Sequence, residues 1–501
     1  MDKSRITNTK RILSSGILNR LIHTLLPFIN RTIIIHTLGS EFTGLTGLFT
    51  SILQVLSLAE FGFNTAVVYS LYEPLAKDDK SSVNQILSWL RRIYHIVGSM
   101  ILIAGIAAAP FLPHLIHGSY PDSINIYVLF LLYLFNSGIS YFLFAYKEAL
   151  LVADQKKDIA TNIKSAVTLL VQVMQYITLL LFRNFYLYIA TLIFGTMLSN
   201  ILVNRAVKAR YPYPTLTAES THLPPAMKKQ LAGLLINRLS NISRNAFDSL
   251  IISSTLGLVA TTIYDNYYMV YSAVFGFTDI VSNSMQASVG NSMVMRGVHE
   301  NFENLLDFSL LYSWIIGWCA VTMACLYQPF MKLWVGTELM LPNRDMLLFA
   351  GYFYLINMNH IRNQYIYGKG MWWEMKWSYL LESIGNLTLN IILGKLFGIT
   401  GVLIATILTI FFCNYLMCNA VLFRVYFKGE SIRTFYRQQF YYLVIALFTG
   451  VLTYLICMEQ ESIILRGVIC LILPNTLLLL LYRFSARWKS SLSLLQRTAK
   501  Q

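Results

Sequence analysis

The stretch Asn19-Arg20-Leu21 … Thr37-Leu38-Gly39 returns 218 positions later as Asn237-Arg238-Leu239 … Thr255-Leu256-Gly257. The arginine and the glycine are equally far apart in both copies, and each copy begins an apolar segment long enough to span a bilayer. A repeat of this kind predicts two structurally related halves. Membrane proteins built from such repeats commonly carry a substrate path where the halves meet, so the pattern favours a transporter.

The composition excludes a soluble domain. The chain has 501 residues, of which 56% are hydrophobic and 13% are charged, and its mean hydropathy is +0.55. We therefore predict an all-α polytopic membrane protein with about 14 transmembrane helices. The predicted spans are 15–38, 44–69, 86–112, 123–146, 159–182, 186–207, 231–255, 263–289, 302–328, 345–367, 377–397, 401–425, 440–458 and 463–482.

The charges alternate between the predicted loops. The formal net charge is +15, and most of the 39 lysines and arginines lie in or beside the loops on the side of the N-terminus. An excess of basic residues marks the cytoplasmic side, so we expect both termini in the cytoplasm. The positive charge is expected to set topology and contact anionic membrane lipids rather than nucleic acid. Five basic residues are predicted outside: Arg183, Lys332, Arg344, Lys395 and Arg466.

The repeat also predicts the domain organisation. Each repeat holds six spans, and since six is even, the halves share one orientation and form parallel repeats. We predict an N-terminal lobe over 1–210 and a C-terminal lobe over 231–430. The proline-rich stretch 211–230 reads as a cytoplasmic linker, and 431–501 as two extra transmembrane helices with a basic cytoplasmic tail.

Both copies of the first repeat helix carry a polar stripe at helical spacing. The first stripe is Arg20, His23, Pro27 and Asn30 or Arg31, and the second is Arg238, Asn241, Asn245 and Asp248. Because a charge in lipid is costly, such a stripe is expected to face the bundle interior or water. We therefore predict that the stripes line a cavity, with these substrate-binding candidates: Arg20, Arg31, Arg238, Arg244, Asn241 and Asn245.

The chemistry of these residues indicates the class of ligand. A guanidinium matches phosphate with two parallel donors, so an arginine-lined cavity suits a pyrophosphate head group, and the amides suit sugars. A structural alternative exists for most of the arginines. Arg20 and Arg238 lie near the inner helix ends and could extend to the interface, while Arg244 could pair with Asp248 four residues later.

Carboxylates inside spans are candidates for coupling transport to protons or Na⁺. The candidates are Asp248, Glu60 and Asp279, and for each one a purely structural pairing is the alternative. No cofactor or metal site is expected, because the six cysteines read as separate buried thiols and no His has metal-ligand spacing. The chain has no Walker, G-x-S-x-G or H-E-x-x-H motif, so we do not expect an enzyme.

Several segments carry a family resemblance. They are Gly47-Leu48-Phe49-Thr50-Ser51-Ile52-Leu53, Leu56-Ser57-Leu58-Ala59-Glu60-Phe61-Gly62-Phe63, Tyr69-Ser70-Leu71-Tyr72-Glu73-Pro74-Leu75-Ala76, Ala153-Asp154-Gln155-Lys156 and Ala287-Ser288-Val289-Gly290-Asn291. In order and spacing, the chain resembles the bacterial polysaccharide-biosynthesis flippases of the O-antigen type. These form the oligosaccharide-lipid branch of the multidrug/oligosaccharidyl-lipid/polysaccharide exporter (MOP) superfamily.

The resemblance implies two six-helix lobes in a V shape, two extra C-terminal helices and alternating access. It implies export of an undecaprenyl-pyrophosphate-linked oligosaccharide across the cytoplasmic membrane, for cell-surface polysaccharide biosynthesis. Polysaccharide polymerases and glycosyltransferases are then the expected protein partners. Two alternatives stay open: a cation-coupled multidrug efflux carrier of the same superfamily, and an integral-membrane polysaccharide polymerase or ligase, whose large outer loop the predicted spans do not provide.

Overall fold

The computed structural model describes residues 24–57, 63–211 and 225–493. These residues form helices joined by short connections, and no β-strand occurs among them. The chain divides into two compact units, Met1–Thr262 and Ile263–Gln501. The predicted all-α class is confirmed.

Among the residues described, ten α-helices precede Leu258 in the first unit. Helices α1 to α5 are 24–37, Ser40–Leu56, Phe63–Ala76, Lys80–Ala108 and Ile126–Phe142. Helices α6 to α10 are Glu148–Ala153, Lys157–Ile177, Phe185–Arg210, Pro225–Ile242 and Asp248–Leu256. A 3₁₀ segment, Ala109–Leu115, extends α4, and π-helical segments follow α7 at Thr178–Phe182 and join α9 to α10 at Ser243–Phe247.

Apolar spacing explains how these helices pack. In α4 the buried residues recur every three or four positions, at Val83, Leu87, Leu90, Tyr94, Val97 and Ile101. This spacing places them on one face of the helix. The core they join includes Phe49 of α2, whose ring centroid lies 5.4 Å from that of Phe130 in α5.

The second unit continues the helical pattern. Helix α11 (Leu258–Ser284) begins at the end of the first unit. Helices α12 to α16 are Gln286–Met295, Val298–Val335, Asn343–Asn357, His360–Lys369 and Lys376–Phe397. Helices α17 to α20 are Ile399–Thr409, Cys418–Val425, Ile432–Met458 and Ile463–Tyr482, with a π-helical segment, Ile410–Met417, between α17 and α18.

Many of the predicted spans form long apolar helices. Within the described residues eight helices are long and apolar enough to cross a membrane, and the bent pair α5 and α6, with a 48° angle, makes nine. The chain is therefore a multi-pass membrane protein. In the described part of the chain no such helix is found for the predicted spans 15–38, 44–69, 231–255, 263–289 and 345–367, and the first two of these lie partly outside the described residues. Four of these five are the first two spans of each repeat, which carry the polar residues.

The boundary between the two compact units lies between Thr262 and Ile263 and not in the predicted linker 211–230, because α9 and α10 pack inside the first unit. The Ser253 hydroxyl donates to the main-chain oxygen of Leu115 (2.7 Å), and the His117 amide donates to the main-chain oxygen of Ser253 (2.9 Å). These bonds attach the C-terminal end of α10 to the connection after α4. The lobes and linker predicted from the repeat stay a prediction.

Candidate functional site

A polar cavity of about 780 Å³ opens inside the first unit, and we call it the first-unit cavity. A smaller cavity of about 350 Å³ adjoins it and shares Ser57, Asn136 and Ser137 with it. The first-unit cavity is lined by Ser57, Val68, Tyr94, Asn136, Ser137, Ser140, Tyr141, Ala145, Glu148, Val152, Lys157, Lys164, Thr196, Ser199 and Asn200. Most of these side chains carry a hydroxyl, an amide or a charge.

Helices α5 and α8 supply the polar wall of the cavity, each through two polar residues that lie one helical turn apart. Asn136 and Ser140 lie four residues apart on α5, and Thr196 and Asn200 lie four residues apart on α8. Residues four apart share a helix face, so each helix presents both groups to its neighbour. The Thr196 hydroxyl donates to the Asn136 amide oxygen (2.8 Å), and the Asn200 amide donates to the Ser140 hydroxyl (3.3 Å). These groups keep further hydrogen-bonding capacity for a ligand.

The helix is interrupted after α5, and the residues that follow bring charged groups to the cavity. Phe144 adopts a left-handed conformation with a φ of 61°, and the chain then continues through Ala145 and Glu148, both of which line the cavity. Lys147, between them, is buried, and its ammonium donates to the Asn204 amide oxygen (2.7 Å). A bent backbone thus places a buried cation beside the cavity wall.

The charged lining residues form one close pair. The Lys164 ammonium lies 2.5 Å from a Glu148 carboxylate oxygen, and the two side chains remain 43% and 26% exposed. Lys157, at the first turn of α7, adds a second cation to the lining. With Lys147 alongside, the cations outnumber the single lining carboxylate, so the cavity favours an anionic group.

The adjoining cavity is lined by tyrosines that other helices hold in place. The Tyr133 hydroxyl donates to the Thr46 hydroxyl (3.1 Å). The Asn30 amide donates to the Tyr188 hydroxyl (2.9 Å) and to the Gln175 amide oxygen (3.0 Å). Both tyrosines and Thr46 line this smaller cavity. Asn30, a residue of the first predicted stripe, therefore supports the cavity wall from behind.

The other residues of the first stripe have different environments. The half-buried Arg31 guanidinium donates to the main-chain oxygen of Thr262 (3.1 Å) in the first turns of α11. Arg20 lies outside the described residues, as does the coupling candidate Glu60. The structure thus gives Arg31 a main-chain contact that its spacing in the sequence did not predict.

In the second stripe Asp248 is buried and Arg238 is exposed, and the separate candidate Arg244 is also buried. The Arg244 guanidinium donates to the Ser240 hydroxyl (3.4 Å) and to the Asn241 amide oxygen. The Asn241 amide in turn donates to the main-chain oxygen of Asn237 (3.2 Å). Arg244 and Asn241 are thereby brought together.

The predicted α-helical spacing does not hold along the whole second stripe. Arg244 and the half-buried Asn245 belong to the π-helical segment Ser243–Phe247. A π-helix bonds residues i and i+5, so residues beyond it turn to a different face than α spacing predicts. Such segments recur at functional sites in other proteins. The third coupling candidate, Asp279, accepts a hydrogen bond from the exposed Asn283 amide (2.9 Å).

A second polar cluster lies in the second unit and was missed in the sequence. The buried Arg362 guanidinium donates to the main-chain oxygen (2.6 Å) and the amide oxygen (2.9 Å) of Asn414, in the π-helical segment Ile410–Met417. The Asn414 amide donates to the fully buried Glu382 carboxylate (2.9 Å). Both charges fall in predicted spans, 345–367 and 377–397, so a search for charges inside spans would have found them.

Solved structures with the same helical arrangement are known. The lipid II flippase MurJ, in an inward closed conformation, matches with a TM-score of 0.69 and 14% identity, over 94% of this chain and 98% of MurJ. An inward-facing MATE-family multidrug resistance transporter of the MOP superfamily matches with a TM-score of 0.61 and 14% identity, over 80% and 94% of the two chains.

The chain has the fold of the MOP-superfamily transporters. A further protein with this fold is a MOP transporter from Pyrococcus furiosus, described as having a binding pocket of reversed polarity; its TM-score is 0.56 at 13% identity, over 83% of this chain and 94% of that one. No protein-family model and no curated protein matches the sequence. These similarities are similarities of fold, and they agree with the all-helical class that the sequence predicted.

Proposed function

We propose that this chain is a flippase that moves an undecaprenyl-pyrophosphate-linked oligosaccharide across the bacterial cytoplasmic membrane by alternating access. The observation that carries the proposal is the first-unit cavity, which is polar, contains more cations than acids and lies among membrane-spanning helices. Such a cavity in a bilayer is costly unless it serves a polar solute. The MOP fold, which it shares with a lipid II flippase, supports a transport role.

The lining chemistry suits a sugar attached to phosphate. Asn136, Ser140, Thr196 and Asn200 offer donors and acceptors to hydroxyl groups, and the tyrosines of the adjoining cavity offer ring faces. Lysine ammonium groups bind phosphate as point charges. In this proposal the pyrophosphate competes with Glu148 for Lys164, so that substrate entry replaces an internal ion pair.

The second unit has an apolar cavity of its own, which suits an isoprenoid chain. A cavity of about 770 Å³ there is lined almost entirely by apolar side chains of α13, α14, α19 and the segment before α18. Gly317, Ala320 and Ala324 on α13 leave room for a chain to lie against the helix. An isoprenoid tail needs such an apolar surface, because only its head group is polar.

The arginine stripes belong to the same proposal. Arg20, Arg31, Arg238 and Arg244, with Asn241 and Asn245, are the proposed additional contacts to the pyrophosphate and the first sugars. Asp248, Glu60 and Asp279 are the proposed coupling carboxylates, which would respond to protons or Na⁺. Both termini are proposed to be cytoplasmic.

The test combines reconstitution with a matched pair of lysine variants. Lys164→Met removes the cation that meets Glu148, and Lys80→Met removes an exposed lysine from the start of α4. Vesicles containing each protein receive a fluorescent undecaprenyl-pyrophosphate oligosaccharide, and the fraction accessible to an external quencher is followed. We expect at least a tenfold slower transfer for Lys164→Met and parental transfer for Lys80→Met.

The same vesicles test the multidrug alternative. A cation-coupled efflux carrier would move a lipophilic cationic dye, and its transport would tolerate or gain from the loss of Lys164. Dye transport by the parent protein without transfer of the lipid-linked oligosaccharide would refute the flippase proposal. If the parent and Lys164→Met transfer the substrate equally fast, the first-unit cavity is not part of the substrate path.

A further inference from the structure

Three cysteines that are far apart in the sequence meet inside the second unit. Cys325 lies on α13, Cys457 near the end of α19 and Cys470 on α20. Their sulfur atoms all lie within 4.8 Å of one another, and the Cys457 and Cys470 sulfurs are 3.9 Å apart. Each side chain is at most 2% exposed. We propose that these three thiols form a binding site for a soft metal cation, Cu(I).

The sulfur geometry fits a metal ion. Metal–sulfur bonds in thiolate sites are about 2.3 Å long, and ligands at that distance around one ion lie roughly 4 Å from one another. The 3.9 Å separation of Cys457 and Cys470 meets this requirement without movement. All three sulfur atoms lie within 4.8 Å of one another, so small side-chain rotations are enough to bring the Cys325 sulfur to coordination distance.

The ligand set selects the metal. Soft thiolates favour Cu(I), Zn²⁺ and iron–sulfur clusters, and structural zinc almost always takes four ligands. Among the residues described, the convergent group holds three sulfur ligands with no histidine or carboxylate. The surrounding residues are Val321, Leu326, Tyr454 and Ile469. An all-sulfur site of three ligands in apolar surroundings suits Cu(I), which accepts three-coordination by sulfur.

The hairpin formed by α19, the loop 459–462 and α20 offers the metal ion a route to the site and a compensating positive charge. Cys457 lies one residue before the end of α19, next to the loop 459–462. Arg466 lies one helical turn before Cys470, donates to the main-chain oxygen of Gln460 (2.6 Å) and interacts electrostatically with both hairpin thiols. Binding releases the proton of each coordinating thiol to water, and the guanidinium offsets part of the resulting negative charge.

The position of the site indicates its effect. The Trp318 indole donates to the main-chain oxygen of Cys470 (2.9 Å), so α13 and α20 are already in contact at this level. A metal held by Cys325, Cys457 and Cys470 would join the C-terminal hairpin of α19 and α20 to α13. Occupancy is therefore expected to stabilise the folded protein, because the ion binds the folded state preferentially.

The experiment uses the purified full-length protein in detergent under anaerobic reducing conditions. Cu(I) is titrated against a chromophoric Cu(I) chelator, and X-ray absorption reports the ligand atoms. We expect one Cu(I) per chain with about three sulfur neighbours near 2.3 Å. Serine at any one of the three positions should weaken binding by roughly tenfold or more, since even supporting residues of metal sites are worth 10–100-fold.

Cys413→Ser is the matched control, because Cys413 is a half-buried thiol outside the group of three. It should bind Cu(I) as the parent does. Cu(I) should also raise the melting temperature of the parent but not that of the triple serine variant, which separates binding from a folding defect. Equal binding by the parent and the triple variant would overturn the proposal.

Discussion

Gly39 and Gly257 hold nearly the same backbone conformation at matched positions of the two repeat copies. Their φ and ψ angles are 110° and 163° for Gly39, and 90° and −178° for Gly257. Only glycine adopts this region readily. In each copy the next residue begins a new helix, Ser40–Leu56 or Leu258–Ser284. The repeat thus has a structural counterpart, since in both copies one helix leads to the next through a glycine of the same conformation.

Alanine at these two glycines should have unequal effects. At Gly39 an added methyl meets nothing within 4 Å, so Gly39→Ala carries only backbone strain of about 1–3 kcal/mol. At Gly257 the methyl would lie 2.7 Å from the main-chain oxygen of His117, so a steric clash adds to the strain. We expect Gly257→Ala to lower the melting temperature of the purified protein more than Gly39→Ala. Equal or reversed shifts would contradict the packing around Gly257.

The first turns of α2 and α11 lie side by side and should separate during transport. The Thr43 and Thr262 hydroxyls are 2.9 Å apart. A methyl on Gly44 would lie 2.3 Å from the main-chain oxygen of Leu258, so the backbones nearly touch. We expect Thr43→Cys/Thr262→Cys to form a disulfide under mild oxidation and to stop transfer, and reductant should restore it. Each single cysteine variant serves as the control, and full transfer by the cross-linked protein would show that this contact stays closed.

The Arg31 substitutions distinguish a substrate role from a structural one. Arg31 donates to the main-chain oxygen of Thr262, a bond that lysine could also make. Lysine lacks the planar fork that binds pyrophosphate at two points. Arg31→Ala should abolish polysaccharide export while the protein remains in the membrane, and Arg31→Lys should restore it only partly. Complete rescue by lysine would leave Arg31 a structural contact of α11.

Loss of Arg362 should destabilise the second unit strongly, because the Glu382 carboxylate and the Asn414 amide would lose their buried cation. Breaking a buried charge cluster from one side costs roughly 3–5 kcal/mol, whereas replacing all of its charges can be nearly neutral. We expect Arg362→Leu to reduce the yield of folded protein and Arg362→Leu/Glu382→Leu to recover part of it. Size-exclusion profiles and melting temperatures report both effects, and a double variant worse than the single one would refute this coupling.

Asp248 is proposed to couple transport to an ion gradient. Its side chain is fully buried, and it follows directly after the π-helical segment that contains Arg244. Asp248→Asn keeps the shape and removes the charge. Transfer in vesicles should continue but lose its dependence on a proton or sodium gradient. A variant that still responds to the gradients as the parent does would make Asp248 structural and shift the proposal to Glu60 or Asp279.

The sequence predicted those features that depend on local order. Hydropathy predicts apolar helices because each must satisfy its own backbone hydrogen bonds in lipid. The repeat also marked Gly39 and Gly257 as equivalent positions, and both glycines have a positive φ. Spacing was less reliable where the helix changes type: the stripe through Asn241, Asn245 and Asp248 assumed α geometry, and the π-helical segment Ser243–Phe247 altered the register.

Most of the candidate site depended on tertiary structure. The pairs Asn136–Thr196 and Ser140–Asn200 join residues 60 positions apart, and only the packing of α5 on α8 makes them one wall. The three thiols at Cys325, Cys457 and Cys470 likewise read as separate apolar residues until three helices bring them together. Secondary structure follows from short-range backbone and hydropathy constraints that a linear pattern records. A binding site depends on which helix faces meet, and that is decided by the packing of the whole chain.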